Sequence, residues 1–91
     1  MKELTLQNFR EIVSLYEEVN DISDWSDKTL LDAKLGDDVG LDSLDIIDII
    51  ADFEVEYDVI IDSDAFDRKI YPSASDANVK TFLKICNECL R

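Results

Sequence analysis

Apolar residues along this chain recur every three or four positions rather than every second one, a spacing that predicts helices and almost no strand. Leu6, Phe9, Val13, Tyr16 and Val19 form the first stripe, which predicts a helix over about Thr5 to Val19 with that face in the core. Asn20-Asp21-Ile22-Ser23-Asp24 then supplies turn formers. A long loop through Trp25, Leu30, Leu31 and Leu35 follows, to be pinned by those apolar side chains. A second helix is expected from about Leu44 to Tyr57. Asp62-Ser63-Asp64 can cap a short third helix over Ala65-Phe66-Asp67-Arg68. Pro72-Ser73-Ala74-Ser75-Asp76 punctuates before a last helix, on which Val79, Phe82, Leu83, Cys86 and Leu90 share a face. The expected fold is all-α: a small four-helix bundle with three longer helices and one short one, a long loop between the first two, and residues 1–91 forming a single domain.

The second helix differs from the others because its apolar residues fall on two faces. At about 100° per residue, Ile46, Ile49, Ile50, Phe53 and Tyr57 cluster on one broad side fit for the core. Leu44, Ile47, Ala51 and Val55 line a narrower stripe, framed by Asp45, Asp48 and Asp52 on one edge and by Glu54 and Asp58 on the other. An apolar strip in an acidic frame marks a binding surface. Val55 is expected to pack instead, under the long loop or the short helix.

Both glycines of the chain stand just upstream, in the run Gly36-Asp37-Asp38-Val39-Gly40-Leu41-Asp42-Ser43-Leu44-Asp45. Glycine takes φ > 0 without steric cost, so Gly36 and Gly40 allow a tight loop. Asp42 is a good N-cap, its carboxylate accepting an N–H of the first turn. Ser43 is thereby delivered, exposed, to the mouth of the second helix. Unpaired N–H groups and the positive end of the helix dipole lie beside it, and there an added anion is well tolerated.

Composition narrows the chemistry. With 91 residues there is room for one core but not for a separate catalytic cleft of any size. The absence of histidine removes any Ser-His or Cys-His nucleophile pair, so Ser43 reads as a modified residue and no catalytic residue is expected. Twenty-two acidic residues against nine basic ones give a net charge of −13, which repels nucleic-acid phosphates and anionic lipid and points to basic proteins as partners. The N-terminal residues lack the apolar core of a signal peptide, and no stretch reaches membrane-spanning length, so the cytoplasm is the expected location. Cys86-Asn87-Glu88-Cys89 has the spacing of a redox or metal pair, yet it falls inside a predicted helix with no preceding strand and no second ligand pair. Cys86 is expected to be buried and inert, with Cys89 at the edge of the apolar face. A calcium loop starting at Asp62 fails at Phe66 and Asp67, where an oxygen ligand and a turn glycine are needed, so no metal site is expected.

Asp42-Ser43-Leu44, followed by Asp45 and the helical run from Ile46 to Glu54, resembles the Asp-Ser-Leu motif of the acyl carrier proteins. The likeness continues through Tyr57 and the extended piece Asp58-Val59-Ile60-Ile61. It implies a 4′-phosphopantetheine arm on the Ser43 hydroxyl, flanked by Asp42 and Leu44 and moved there from coenzyme A by a phosphopantetheinyl transferase. The thiol of that arm would hold acyl groups as thioesters for enzymes of fatty-acid, polyketide or related biosynthesis. Acyl-activating, acyltransferase or ketosynthase enzymes with basic surfaces would dock on Leu44, Asp45, Ile47, Asp48, Ala51 and Asp52 of a monomeric carrier. The chain departs from the common pattern of the family: Asp62 stands where a proline often follows, Leu35 where an aromatic residue is frequent, Ala51 is smaller than usual and Asp52 is charged where a small apolar residue is common. The segment Arg68-Lys69-Ile70-Tyr71-Pro72 is also longer than the usual connection. Partner identity therefore stays open, and the alternatives are an aminoacyl or peptidyl carrier, an acidic interaction module with no arm, and a small thiol or metal protein using Cys86 and Cys89.

Overall fold

The computed structural model describes residues 3–17, 19–70 and 74–91, and among these it contains five α-helices. They are α1 (Leu6–Val13), α2 (Asp27–Asp32), α3 (Ser43–Tyr57), α4 (Ser63–Ile70) and α5 (Val79–Glu88), with a π-helical turn at Leu35–Val39 and a 3-10 turn at Ala74–Asp76. The all-α bundle expected from the spacing is the fold. Its centre is Phe82 of α5, fully buried, with the rings of Phe9, Phe53 and Phe66 at centroid distances of 6.1, 6.2 and 5.8 Å. Phe9 and Phe66 meet it edge-on, the arrangement the ring quadrupoles favour. One residue thus joins α1, α3 and α4 to α5.

α1 opens with a reciprocal cap between Thr5 and Asn8 and closes at Val13, not at Val19. The Ser14 hydroxyl donates to the Glu11 carbonyl at 2.7 Å, and the amides of Leu15 and Tyr16 bond three residues back to Ile12 and Val13. This tighter turn ends the helix. Tyr16 and Val19 still pack against the core, but from a turn rather than from a helical face.

The long connection is held by polar as well as apolar groups. Of the apolar residues expected to pin it, Leu30 and Leu35 are fully buried and Trp25 and Leu31 half-buried; Val39 is fully buried too, and α2 and the π-helical turn give the connection regular structure. The Arg10 guanidinium of α1 reaches across to donate to the carbonyls of Ile22 (3.2 Å) and Trp25 (2.7 Å) and to the carboxylate of Asp27 (3.0 Å). Inward-turned carbonyls of a loop need such partners, and a charged donor makes stronger bonds than a neutral one.

α4 begins earlier and runs longer than expected, capped by Asp62, whose carboxylate accepts the Ala65 N–H at 3.2 Å. Residues Tyr71, Pro72 and Ser73 lie outside the described residues, so of the Arg68–Pro72 connection only Arg68 to Ile70 is described, as the end of α4. The extended piece after α3 pairs with the C-terminal residues: Asp62 N–H donates to the Cys89 carbonyl and Arg91 N–H to that of Ile60, both at 2.9 Å, around an antiparallel bridge between Ile61 and Leu90. Arg91 also sits 3.0 Å from the Asp62 carboxylate and holds it below the usual carboxylate range. Cys89, placed at an edge by the helical wheel, is buried with Cys86 where this pairing closes the end of α5. Asn87 completes that end, accepting the Leu4 N–H at 2.7 Å and donating to the Leu4 carbonyl at 2.9 Å.

Candidate functional site

The approach to Ser43 is fixed before the helix begins. Gly40 has φ 91°, the left-handed conformation glycine adopts freely, and its N–H bonds back to the Gly36 carbonyl at 3.1 Å. Gly36 works differently from the expectation, since its φ is not positive. A Cβ there would lie 2.9 Å from the Ser75 Cβ and 3.1 Å from the Ser75 carbonyl oxygen, so the missing side chain lets the 3-10 turn press against the π-helical turn. From the other side, Asn20 donates its N–H to the Val39 carbonyl at 3.0 Å and its side-chain amide to the Asp38 carbonyl at 2.7 Å. Leu41, buried, anchors the last step before the cap.

Asp42 is the N-cap of α3, in extended conformation, and its carboxylate accepts the Asp45 N–H at 2.8 Å. Asp45 returns the contact by accepting the Asp42 N–H at 3.1 Å. This reciprocal cap satisfies two backbone donors and leaves the amides of Ser43 and Leu44 without a partner among the described residues. Ser43 is the first helical residue and is exposed, and no hydrogen bond among the described residues engages its hydroxyl. A phosphate-bearing group fits here on its chemistry: a free hydroxyl to bond to, two open amide donors and the positive end of a 15-residue helix.

Behind the serine, α3 divides as its two stripes suggest. Ile46, Ile49 and Phe53 are buried, whereas Leu44 is 69%, Ile47 61% and Val55 80% exposed, with Ala51 exposed between them. The expectation that Val55 packs is therefore overturned: no described residue of the loop or of α4 covers it. Of the acids framing the strip, Asp48 is exposed, while Asp45 and Asp52 are half-buried. Asp45 is engaged in the cap, and Asp52 accepts a hydrogen bond from the Tyr16 hydroxyl at 2.8 Å. Burial, then the bond to Asp52, then the charges of Asp52, Asp48 and Asp45 push the Tyr16 phenol well above its usual range. The three acids thus act together on one point of the surface. Tyr16, Arg10 and Ser75 are the residues of this region to which the sequence pattern assigns no part in the site. Tyr16 looks like a core position of α1, and nothing local announces a bond 36 residues away.

Cys86 and Cys89 are unpaired thiols, and burial raises both above the ordinary thiol range. The neutral form of each is favoured, which is the inert state expected of Cys86.

Comparison with known proteins matches this geometry. The family model described as the phosphopantetheine attachment site covers residues 10–76, which include the approach loop, the cap and all of α3. An acyl carrier protein of Karelsulcia muelleri is 36% identical over 56 residues, spanning 62% of this chain and 68% of that protein. An acyl carrier protein of Thermotoga maritima is 55% identical over 31 residues, 34% of this chain and 38% of its own. No solved structure gives a significant match. The chain accordingly belongs to the acyl carrier protein family, as a carrier rather than an enzyme, with a covalently attached 4′-phosphopantetheine as its prosthetic group.

Proposed function

We propose that Ser43 is the attachment residue and that the single domain of residues 1–91 carries acyl groups for enzymes of fatty-acid, polyketide or related biosynthesis. The observation that carries this reading is the exposed, unengaged Ser43 hydroxyl at the first position of α3, within the span that matches the attachment family. The arm supplies a thiol on which an acyl group rides as a thioester. The chain itself contributes position. Asp42 and Asp45 fix the start of α3, Gly40 and Asn20 fix the loop before it, and the serine is held where a transferase can reach its oxygen. The two relatives being acyl carrier proteins favours an acyl cargo over an aminoacyl one.

The outer face of α3 is the docking surface of this reading. Leu44, Ile47 and Ala51 offer an apolar strip, and Asp45, Asp48 and Asp52 an acidic edge that complements basic enzymes. Tethering converts each meeting of substrate and enzyme into one of protein and protein, which raises effective concentration once docked. Incubation of the apo-protein with coenzyme A and a broad-specificity phosphopantetheinyl transferase tests the assignment. Intact mass should rise by one phosphopantetheine, and Ser43→Ala should abolish the gain. A gain that persists in Ser43→Ala moves the attachment elsewhere.

A further inference from the structure

The acidic edge of α3 is completed from outside α3. Tyr16, in the turn after α1, reaches across and donates its hydroxyl to Asp52 Oδ2 at 2.8 Å. The turn that carries it is itself braced, because Asn20 bonds the carbonyls of Asp38 and Val39 on the approach to Ser43. The same short stretch of chain therefore touches the carrier region both before the serine and after it. A hydrogen bond to a carboxylate is directional and stronger than one between neutral groups, so it favours one side-chain rotamer of Asp52. Asp52 is half-buried, with one oxygen bonded to the Tyr16 hydroxyl. Asp45 spends an oxygen on the Asp42 amide. Asp48 is exposed, and no hydrogen bond among the described residues restrains it. The three acids are thus unequal, although their spacing on the helix makes them look alike.

We propose that Tyr16 is a positioning residue of the docking face: its hydroxyl holds Asp52 back from the outer surface of α3, so that a basic enzyme surface meets Asp48 at full strength and Asp52 at reduced strength. The inference rests on the docking reading above and names a determinant of it that lies off the helix. The occupant it commits to is a partner with Lys or Arg at the docking surface, the charge complement of a domain carrying −13. Such a contact discriminates between basic partners by where their cations fall along the edge.

Tyr16→Phe keeps the ring and removes the donor. With Asp52 released, kcat/KM for transferase loading of the apo-protein at low salt should rise about threefold, with a steeper salt dependence and an unchanged kcat. In an Asp52→Asn background the same substitution should have no effect on loading. Thermal unfolding and circular dichroism follow whether the ring still packs. Should Tyr16→Phe fail to fold, two variants with the tyrosine in place decide the matter: Asp48→Asn should slow loading clearly more than Asp52→Asn does. Unchanged loading and salt dependence in folded Tyr16→Phe, an effect that persists without the Asp52 charge, or equal losses in the two asparagine variants would overturn the inference. If Asp48→Asn slows loading while Tyr16→Phe is silent, the role of Tyr16 falls and the docking face stands. If neither Asp48→Asn nor Asp52→Asn affects loading, both fall together.

Discussion

α3 and α5 are both rich in large apolar residues, and they dispose of them in opposite ways. On α5, Val79, Phe82, Leu83, Ile85 and Cys86 are all buried. On α3, Ile46, Ile49 and Phe53 are buried while Leu44, Ile47 and Val55 stay in solvent. Covering such a side chain is worth roughly 1.5–3 kcal/mol, so a helix that leaves three of them exposed forgoes stabilisation that its neighbour gains. The difference teaches that an apolar stripe is not by itself a core element. α5 closes the fold, and α3 closes it with one face and leaves the other in solvent.

That contrast is easiest to break at Phe82. Phe82→Ala empties the point where α1, α3 and α4 meet α5, and removal of a buried Phe typically costs about 3–5 kcal/mol. Since small domains are held by about 5–15 kcal/mol in all, urea unfolding should show a large drop in midpoint. Ile47→Ala on α3 should leave unfolding within about 0.5 kcal/mol of the parent, the range of ordinary surface changes. It should instead weaken transferase binding about tenfold at every ionic strength, because an apolar contact is insensitive to screening. Comparable destabilisation by the two variants would erase the distinction between the helices. The smallest effect concerns the thiols of α5. Burial raises Cys86 above its ordinary value of 9.0, so its contribution to stability is fully present below that pH and is lost as pH climbs beyond it. The free energy of unfolding should therefore hold steady near neutral pH and decline above about pH 9. Part of that decline should vanish in Cys86→Val, which has no thiol to ionise.

The features legible in the amino-acid order are those with a short-range cause. Asp42 at a cap, Ser43 at the first helical position and the buried face of α3 follow from side-chain chemistry within one or two turns. The two-faced character of α3 was equally visible, because helical spacing depends only on neighbours. Val55 lay beyond that reach: whether a stripe residue is covered depends on where other elements fall, and here none falls upon it. The early end of α1 was hidden because Tyr16 and Val19 keep the helical spacing after the helix has stopped. α2 was hidden because six residues with one fully buried leucine carry too little periodicity. The contacts of the Arg10 guanidinium with the Ile22 and Trp25 carbonyls and the Asp27 carboxylate, and of the Tyr16 hydroxyl with Asp52, join polar groups far apart along the chain, and such pairings leave no trace in local patterning.

The close approach of Gly36 and Ser75 bears on how portable the start of α3 is. Copying Asp42-Ser43-Leu44 onto the start of a helix in another bundle would transplant the cap but not its aim, since the aim comes from a turn packed so closely against a second turn far along the chain that a Cβ on Gly36 would lie 2.9–3.1 Å from Ser75. A graft would have to move Leu35–Val39 together with Ala74–Asp76, and the recipient would need a backbone that lets the two touch. The smallest transferable unit is therefore a pair of interlocked turns with a helix attached, and the three residues that identify the motif by eye are only its exposed tip.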